Sequence, residues 1–175
     1  SKHALWAVYR AELGIDPPTL LTERVLAAFG ARNVEEILPR LTARDLPRPE
    51  IRRQLVRLLF DAADAGDAAA CQIVLSHGKA LGDYAIVAAR KVGLLETPFT
   101  LVLTGGVLRH PSPLLRVSLI ERVRESTPNV QAIQSRFEPA AGAVLLALDL
   151  LRINTDAALL KRLEDTLPGP SFFAT

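Results

Sequence analysis

The stretch "FTLVLTGGVLRHPSPLL", from Phe99 to Leu115, decides the fold class. Its first six residues are apolar or β-branched on both faces, which is typical of a strand covered on both sides in a parallel sheet. Gly105 and Gly106 follow at the carboxyl end of this strand, where open α/β sheets bind ligands. Without a Cβ atom, the backbone there can approach a ligand closely. A tight turn that requires a positive φ is the alternative, and the local pattern alone favours it.

The sequence after these glycines predicts a βαβ unit. A helix opens at Ser112-Pro113, a more polar and edge-like strand follows at "VQAIQS", and Glu138-Pro139 opens the helix "AAGAVLLALDLL". This order gives two parallel strands joined by a crossover helix. Two strands are too few for a stable sheet, so we expect further strands from sequence upstream. The chain has no methionine and begins within a helical pattern, which we interpret as a fragment that starts in mid-protein.

The first ~95 residues are predicted to be helical. The predicted helices run over 3–13, from Thr19 to Phe29, from Asn33, from Pro49 to about Ala65, and from Asp67 to about Lys91. Gly78 and Gly82 interrupt the last of these, and each costs ~1 kcal/mol relative to alanine. They therefore predict close packing against a neighbour, or a local bend.

The predicted fold class is helix-dominated α/β, organised as a single lobe. Residues 1–95 form a mostly helical part that includes an insertion, residues 96–152 form the βαβα core, and residues 153–175 form a C-terminal helix and tail. The last helix is predicted to be capped near Asn154 or Thr155. The terminal "SFFAT" is expected to dock on the domain.

Composition is that of an ordinary globular protein, with 49% hydrophobic and 23% charged residues. No apolar run reaches the ~18 residues that span a bilayer, and the first residues lack the pattern of a signal peptide. We therefore expect a cytoplasmic protein without a membrane partner. A net charge of +2 is too small to predict nucleic-acid binding. Five arginines nonetheless cluster with partly helical spacing, and we interpret them as a solvated helix face: Arg44, Arg48, Arg52, Arg53 and Arg57.

Other reactive residues give weak signals. Three histidines, at positions 3, 77 and 110, lie far apart without metal-ligand spacing, so no metal site is predicted. His77 is expected to line a pocket or the core, and His110 can contact either a ligand or water. Cys71 lies in the first turn of a helix, but its alanine neighbours favour packing over reactivity. The sequence contains neither GxGxxG, a P-loop nor a GxSxG elbow.

Four segments together carry a resemblance to a known family. "GDAAACQIVLSHGKALGDYAIVAARKVGL", "VLTGGVLRHPSPLL" and "EPAAGAVLLALDLL" resemble the C-terminal domain of the BadF/BadG/BcrA/BcrD ATPase family. That family includes N-acetylglucosamine kinases and belongs to the sugar kinase/Hsp70/actin superfamily. The opening "ALWAVYRAELGIDPPTLLTERVLAAFG" is similar to the family's segment after its second phosphate-binding motif. The resemblance extends to about residue 152.

The resemblance implies the C-terminal lobe of an actin-like ATPase fold, also called ribonuclease H-like, with an incomplete sheet and a helical insertion. It implies that Thr104, Gly105, Gly106 and Val107 match the adenosine motif and contact the adenosine side of ATP. The helix around Gly142 would match the second connecting helix at the interdomain hinge, where a small residue lets two helices cross closely. ATP and Mg²⁺ would be the cofactors of the full-length protein.

The sequence lacks the motifs that bind phosphate in the family. It contains neither the first phosphate loop, of Asp-Gly-Gly-Gly-Thr type, nor the second, Gly-Thr-Gly-Ser. The catalytic aspartate and most sugar contacts would lie in the other lobe. We therefore predict no catalytic and no metal-binding residue in this chain, and no activity for the chain alone, because phosphoryl transfer needs all of these parts in position.

Three functions remain open. The first is the ATP-binding lobe of a kinase for N-acetylglucosamine or a related amino sugar. The second is a lobe of an activator ATPase of the 2-hydroxyacyl-CoA dehydratase type, which the single Cys71 argues against because those activators hold an iron–sulfur cluster with cysteines. The third is a non-catalytic interaction domain that keeps the fold. The segment 15–65 either covers the cleft or forms a contact in a possible homodimer.

Overall fold

A computed structural model of the chain describes residues 2–42 and 48–167 and confirms a helix-dominated fold with a small parallel sheet. The elements are α1 (Lys2–Glu12), α2 (Leu20–Phe29), α3 (Val34–Thr42), α4 (Arg48–Asp64), α5 (Ala68–Lys91), β1 (Thr100–Leu103), α6 (Leu114–Arg124), β2 (Gln131–Gln134), α7 (Pro139–Leu150) and α8 (Ala157–Thr166). Helices α1 to α5 lie within the predicted helical part, and β1 to α7 follow the predicted βαβα order.

One buried pair of polar side chains begins two of the helices. The Thr19 hydroxyl accepts a hydrogen bond from the Leu21 N–H at the start of α2 (3.2 Å) and donates to Asp67 Oδ1 (2.9 Å). The same Asp67 oxygen accepts from the Ala70 N–H at the start of α5 (2.8 Å). Both residues were predicted as caps, because their side-chain oxygens satisfy N–H groups that a first helical turn leaves unpaired. Their mutual bond also fixes α2 against α5.

The main hydrophobic core lies among the helices α1 to α5. Leu21, Ile37, Leu55 and Val74 are each at most 2% exposed. A second cluster packs α5 and α6 against one face of the sheet, with buried residues Ile86, Leu103, Leu119, Val123 and Val130. Burial of such side chains contributes about 1.5–3 kcal/mol each. The two clusters together hold the βαβ unit against the helical part.

Gly78 and Gly82 allow α5 and α6 to pack at very short distance. A Cβ atom at Gly78 would lie 1.7 Å from Ser118 Oγ and 2.8 Å from the Leu115 carbonyl oxygen. At Gly82 it would lie 2.7 Å from Arg122 Cβ. The first of the two sequence-based alternatives, close packing against a neighbour, is therefore confirmed.

The strands β1 and β2 pair in parallel, with Thr100 opposite Gln131 and Val102 opposite Ile133. Leu103 is buried, but the paired Val102 and Ile133 on the opposite face are 53% and 43% exposed. The expectation that β1 is covered on both faces is therefore wrong for the part of the chain that the structure describes. The continuous apolar run is real, but among residues 2–42 and 48–167 the helices α5 and α6 pack against one face of it and leave the other face exposed.

The C-terminal helices are attached loosely. Helix α7 buries only Ala141 and α8 buries no residue. The N-cap of α8 is Asp156, whose Oδ1 accepts from the Leu159 N–H (2.8 Å), so the cap lies one residue beyond Asn154 and Thr155, near which it was predicted. An aspartate one or two residues later competes successfully, because its oxygen reaches the N–H three residues on. The predicted docking of "SFFAT" lies outside the described residues.

Candidate functional site

The segment from Thr104 to Ser112, here called the glycine loop, joins β1 to α6. Gly105 has φ +98° and so adopts a conformation that other residues reach only with strain. An added Cβ at Gly105 would nevertheless meet no atom within 4 Å. A turn with positive φ is therefore sufficient to explain why residue 105 is glycine. This is the alternative to ligand contact that the sequence pattern favoured.

Gly106 is different, because its conformation does not require glycine. It is exposed, it has no positive φ, and an added Cβ would meet no atom within 4 Å. The described part of the chain thus gives neither strain nor crowding as a reason for glycine here. The space beside Gly106 is open and belongs to a cavity, so the backbone at this position is accessible to another molecule.

That cavity, here called the arginine cavity, lies between α4 and the glycine loop and has a volume of about 600 Å³. Helix α4 and the loop supply opposite sides of it, which include Arg52, Arg53, Val56, Phe60, Gly106 and His110. Val107 also borders the cavity, whereas Thr104 and Gly105 do not line it. The structure thus brings two of the four predicted adenosine-motif residues to one cavity and places the other two at the strand end.

His110 anchors the glycine loop to α4. Its ring stacks on the buried Phe60, with centroids 4.3 Å apart and an interplanar angle of 16°. Its Nδ1 accepts a hydrogen bond from the Ser112 N–H (3.2 Å), and the Ser112 hydroxyl donates to Asp64 Oδ1 (2.6 Å). The loop is therefore held on α4 by one ring contact and one hydrogen bond, which together fix the width of the cavity.

Arg109 connects the glycine loop to the segment between β2 and α7. Its Nη2 donates to the carbonyl oxygens of Ser135 (3.2 Å) and Phe137 (3.0 Å) and to the Ser135 hydroxyl (3.0 Å). Its Nη1 lies 2.9 Å from Glu138 Oε1, the residue before α7. Charge-assisted bonds of this kind are stronger than neutral ones. Arg109 thus positions the loop relative to α7, a role that the sequence did not indicate.

Sequence reasoning also missed the position of the arginine cluster. The side chains of Arg52, Arg53 and Arg57 border the same cavity as Gly106, although about 50 residues separate them in sequence. The described residues that line this cavity include no carboxylate. Interpreting the cluster only as a solvated face was therefore incomplete. Helical spacing showed that the arginines share a face, but not what that face is near.

The remaining candidates lie elsewhere. His77 lines a second cavity of about 500 Å³ on the surface of α5, where its Nδ1–H donates to the Ile73 carbonyl (2.8 Å) and its ring meets His3 edge-on at 4.8 Å. Cys71 is half-buried, and its thiol donates to the Ala63 carbonyl (3.3 Å). Within residues 2–42 and 48–167, no three His, Cys, Asp or Glu side chains converge as a metal site. No helix in these ranges is long and apolar enough to cross a membrane.

Comparison with known proteins finds a distant relative. The chain is similar to an N-acetyl-D-glucosamine kinase of Dictyostelium discoideum, with 29% identity over 143 residues. The match covers 81% of this chain but 44% of the kinase, so the chain spans less than half the length of the curated relative. A match over 143 of the 175 residues includes the glycine loop and all of α4 wherever it begins. No family model matches the chain. These findings support a sugar kinase-like lobe.

Proposed function

We propose that this chain is the C-terminal, nucleotide-binding lobe of an ATP-dependent kinase for N-acetylglucosamine or a related amino sugar. The observation that carries the proposal is the similarity to the Dictyostelium kinase across most of the chain. The geometry supports it, because the parallel strand β1 is followed by the glycine loop, in which Gly106 lines a cavity. Cavities at the carboxyl ends of parallel strands are where α/β folds bind nucleotides.

The proposal gives the glycine loop the adenosine side of ATP. Gly106 and Val107 contact the nucleoside, and Thr104 and Gly105 shape the turn that presents them. Mg²⁺ neutralises phosphate charge during phosphoryl transfer. The described residues offer no cluster of carboxylates for it, so the metal, the γ-phosphate and the sugar are assigned to the part of the complete protein outside this chain.

The proposal is tested by a coupled kinase assay on the complete protein with ATP, Mg²⁺ and a panel of sugars. We expect ATP-dependent phosphorylation of an amino sugar in preference to neutral hexoses. Binding of ATP without transfer to any sugar would instead favour the non-catalytic interaction domain. No binding of ATP would contradict both.

The 175-residue chain by itself provides a second test. We expect no turnover of ATP, because its sequence contains neither phosphate loop nor a candidate catalytic aspartate. Turnover by the chain alone would contradict the assignment of the chemistry to another lobe. The activator-ATPase alternative gains no support from the structure, since the one cysteine is half-buried against α4.

A further inference from the structure

Helix α5 has an exposed, largely apolar face in the described part of the chain. This face lies opposite to the one that packs on α6 through its glycines, because two residues along a helix correspond to a rotation of about 200°. Five residues share it at spacings of three and four, and they are called the α5 stripe here: Ile73, Ser76, Ala80, Tyr84 and Val87. Tyr84 is 72% and Val87 45% exposed. The stripe is open to another molecule over a length of about 21 Å.

The shape of the stripe suits a second helix. Four of its residues, Ile73, Ser76, Ala80 and Tyr84, line the cavity of about 500 Å³ on the surface of α5. The small Ser76 and Ala80 lie at the centre, and larger side chains lie at both ends. Small residues at a crossing point let two helix axes approach closely, while larger ones fill the space on either side.

The stripe is also complementary to itself in the antiparallel direction. Ala80 lies near the middle of α5, which runs from Ala68 to Lys91. When two copies of the helix cross antiparallel at Ala80, Ile73 of each copy comes opposite Val87 of the other, and Ser76 comes opposite Tyr84. Each pair then occurs twice, as a two-fold axis requires. Aliphatic side chains meet each other, and a small side chain meets a large one.

Charges beside the stripe favour the same arrangement. Lys79 and Asp83 lie on one edge of it, on the side away from His77. In the antiparallel pair, Lys79 of each copy lies within about 3 Å of the level of Asp83 of the other, measured along the helix axis. Asp83 contacts Arg122 (2.7 Å), but its side chain is 52% exposed and can bind a second cation. In a parallel pair these two edges lie on opposite sides of the interface and do not meet.

We propose that α5 is the contact surface between two copies of this protein, which pack antiparallel about a two-fold axis at Ala80. The apolar stripe forms the centre of the interface and two Lys79–Asp83 pairs lie at its rim, as is usual in protein interfaces. Trp6 of α1, one turn beyond the His3 that borders the same cavity, is 62% exposed and adds apolar surface. The inference goes beyond the proposed function and does not depend on nucleotide binding. It places the homodimer contact on α5 and not in the segment 15–65.

The first test measures the oligomeric state of the complete protein by sedimentation velocity at several concentrations. Ala80→Glu brings two carboxylates together at the two-fold axis and should weaken the dimer at least about tenfold. The melting temperature of the dissociated protein should be unchanged, because Ala80 is exposed on the helix surface. A matched control is Ala158→Glu, at an exposed alanine of α8, which should sediment as the wild type does.

The second test exchanges the charges at the rim. Lys79→Glu and Asp83→Lys each create two like-charge pairs in a homodimer, so each variant alone should dimerise roughly three- to tenfold more weakly. In an equal mixture of the two variants, the heterodimer has opposite charges in both pairs. The mixture should therefore associate as strongly as the wild type.

Four results would overturn the proposal. A wild-type protein that stays monomeric at concentrations on the order of 100 µM has no such interface. A dimer that Ala80→Glu leaves intact has its interface elsewhere, and a mixture no stronger than its two components contradicts the antiparallel arrangement. A complete protein that is monomeric while the 175-residue chain alone dimerises would show that the rest of the protein covers the stripe. None of these measurements involves ATP, so a failure of the proposed kinase function is recognised separately.

Discussion

Helices α4 and α7 show that an apolar sequence does not by itself produce burial. Helix α4, "RPEIRRQLVRLLFDAAD", is rich in charge, yet Leu55, Leu59 and Phe60 are buried. Helix α7, "PAAGAVLLALDL", is almost entirely apolar, yet only Ala141 is buried. The difference lies in the neighbours: α4 packs against α2 and α5, whereas α7 packs extensively against no helix or strand among the described residues.

Large apolar side chains in α7 and directly after it are exposed. Leu146, Leu150 and Leu151 are 67%, 85% and 71% exposed. Leu146 and Leu150 are four residues apart and share one helix face, and exposed apolar residues grouped on one face are typical of a contact region. Under the proposed function, this surface faces the other lobe across the hinge. The helical part should then be stable by itself, while the exposed apolar face of α7 contributes to stability only in the complete protein.

The largest effect is expected from removing one leucine in each region of the isolated chain. Leu55→Ala deletes a side chain that is 2% exposed and should lower the free energy of unfolding by about 2–5 kcal/mol. Leu150→Ala deletes one that is 85% exposed and should change it by less than about 0.5 kcal/mol. Urea unfolding of both variants measures the difference. Equal losses would show that α7 is packed in the isolated chain.

A second pair of substitutions compares two glycines that lie within helices. Gly78→Ala puts a Cβ 2.8 Å from the Leu115 carbonyl oxygen and should destabilise the chain by about 1–3 kcal/mol, because α5 and α6 must separate. Gly142→Ala in α7 meets no atom within 4 Å and should stabilise it by roughly 0.5–1 kcal/mol through helix propensity. Thermal unfolding of the isolated chain measures both changes.

The Gly142 result also bears on the hinge. The close helix crossing predicted around Gly142 has no counterpart among the described residues, since the space beside it is open. If the crossing forms with the other lobe, Gly142→Ala should be stabilising in the isolated chain and destabilising in the complete protein. Stabilisation in both contexts would exclude a close crossing at this position.

The smallest effect concerns α8, which an exposed ion pair connects to the end of β2. The hydrogen bond from Arg136, aided by its charge, holds the pKa of Glu164 below its ordinary value of 4.5. A lowered pKa stabilises the fold above the ordinary value, and this contribution is lost as pH falls through the lower folded value. Glu164→Gln should therefore increase hydrogen exchange of α8 slightly at pH 7, and this difference should shrink as the pH is lowered below 4.5. A difference that persists in acid would show that the ion pair is not its cause.

Local features of the fold were predictable from the sequence because their causes are local. The caps at Thr19 and Asp67, the positive φ at Gly105 and the order of β1, α6, β2 and α7 each depend on a few consecutive residues. The cap of α8 was misplaced by one or two residues, because several capping side chains compete in that segment. The open face of β1 was not predictable, since an apolar run does not reveal which layers are present to cover it.

The site was only partly predictable for the same reason. The glycines after the strand identified Gly106 as a candidate residue. The opposite side of the arginine cavity comes from α4, and no local sequence pattern predicts that Arg52 lies near Gly106. The role of Arg109 in holding the loop to Glu138 likewise depends on groups 26–29 residues away. Long-range placement of this kind follows from packing rather than from periodicity.

The measurement that tests the central claim most directly is ATP affinity of the complete protein with Gly106→Val. The added side chain enters open space, so the fold and melting temperature should be unchanged, while its volume occupies the cavity beside the nucleoside. We expect calorimetry to show at least about tenfold weaker ATP binding, or ~1.4 kcal/mol, with a smaller loss for Gly106→Ala. Unchanged affinity in a folded Gly106→Val protein would contradict the assignment of the glycine loop to the nucleotide.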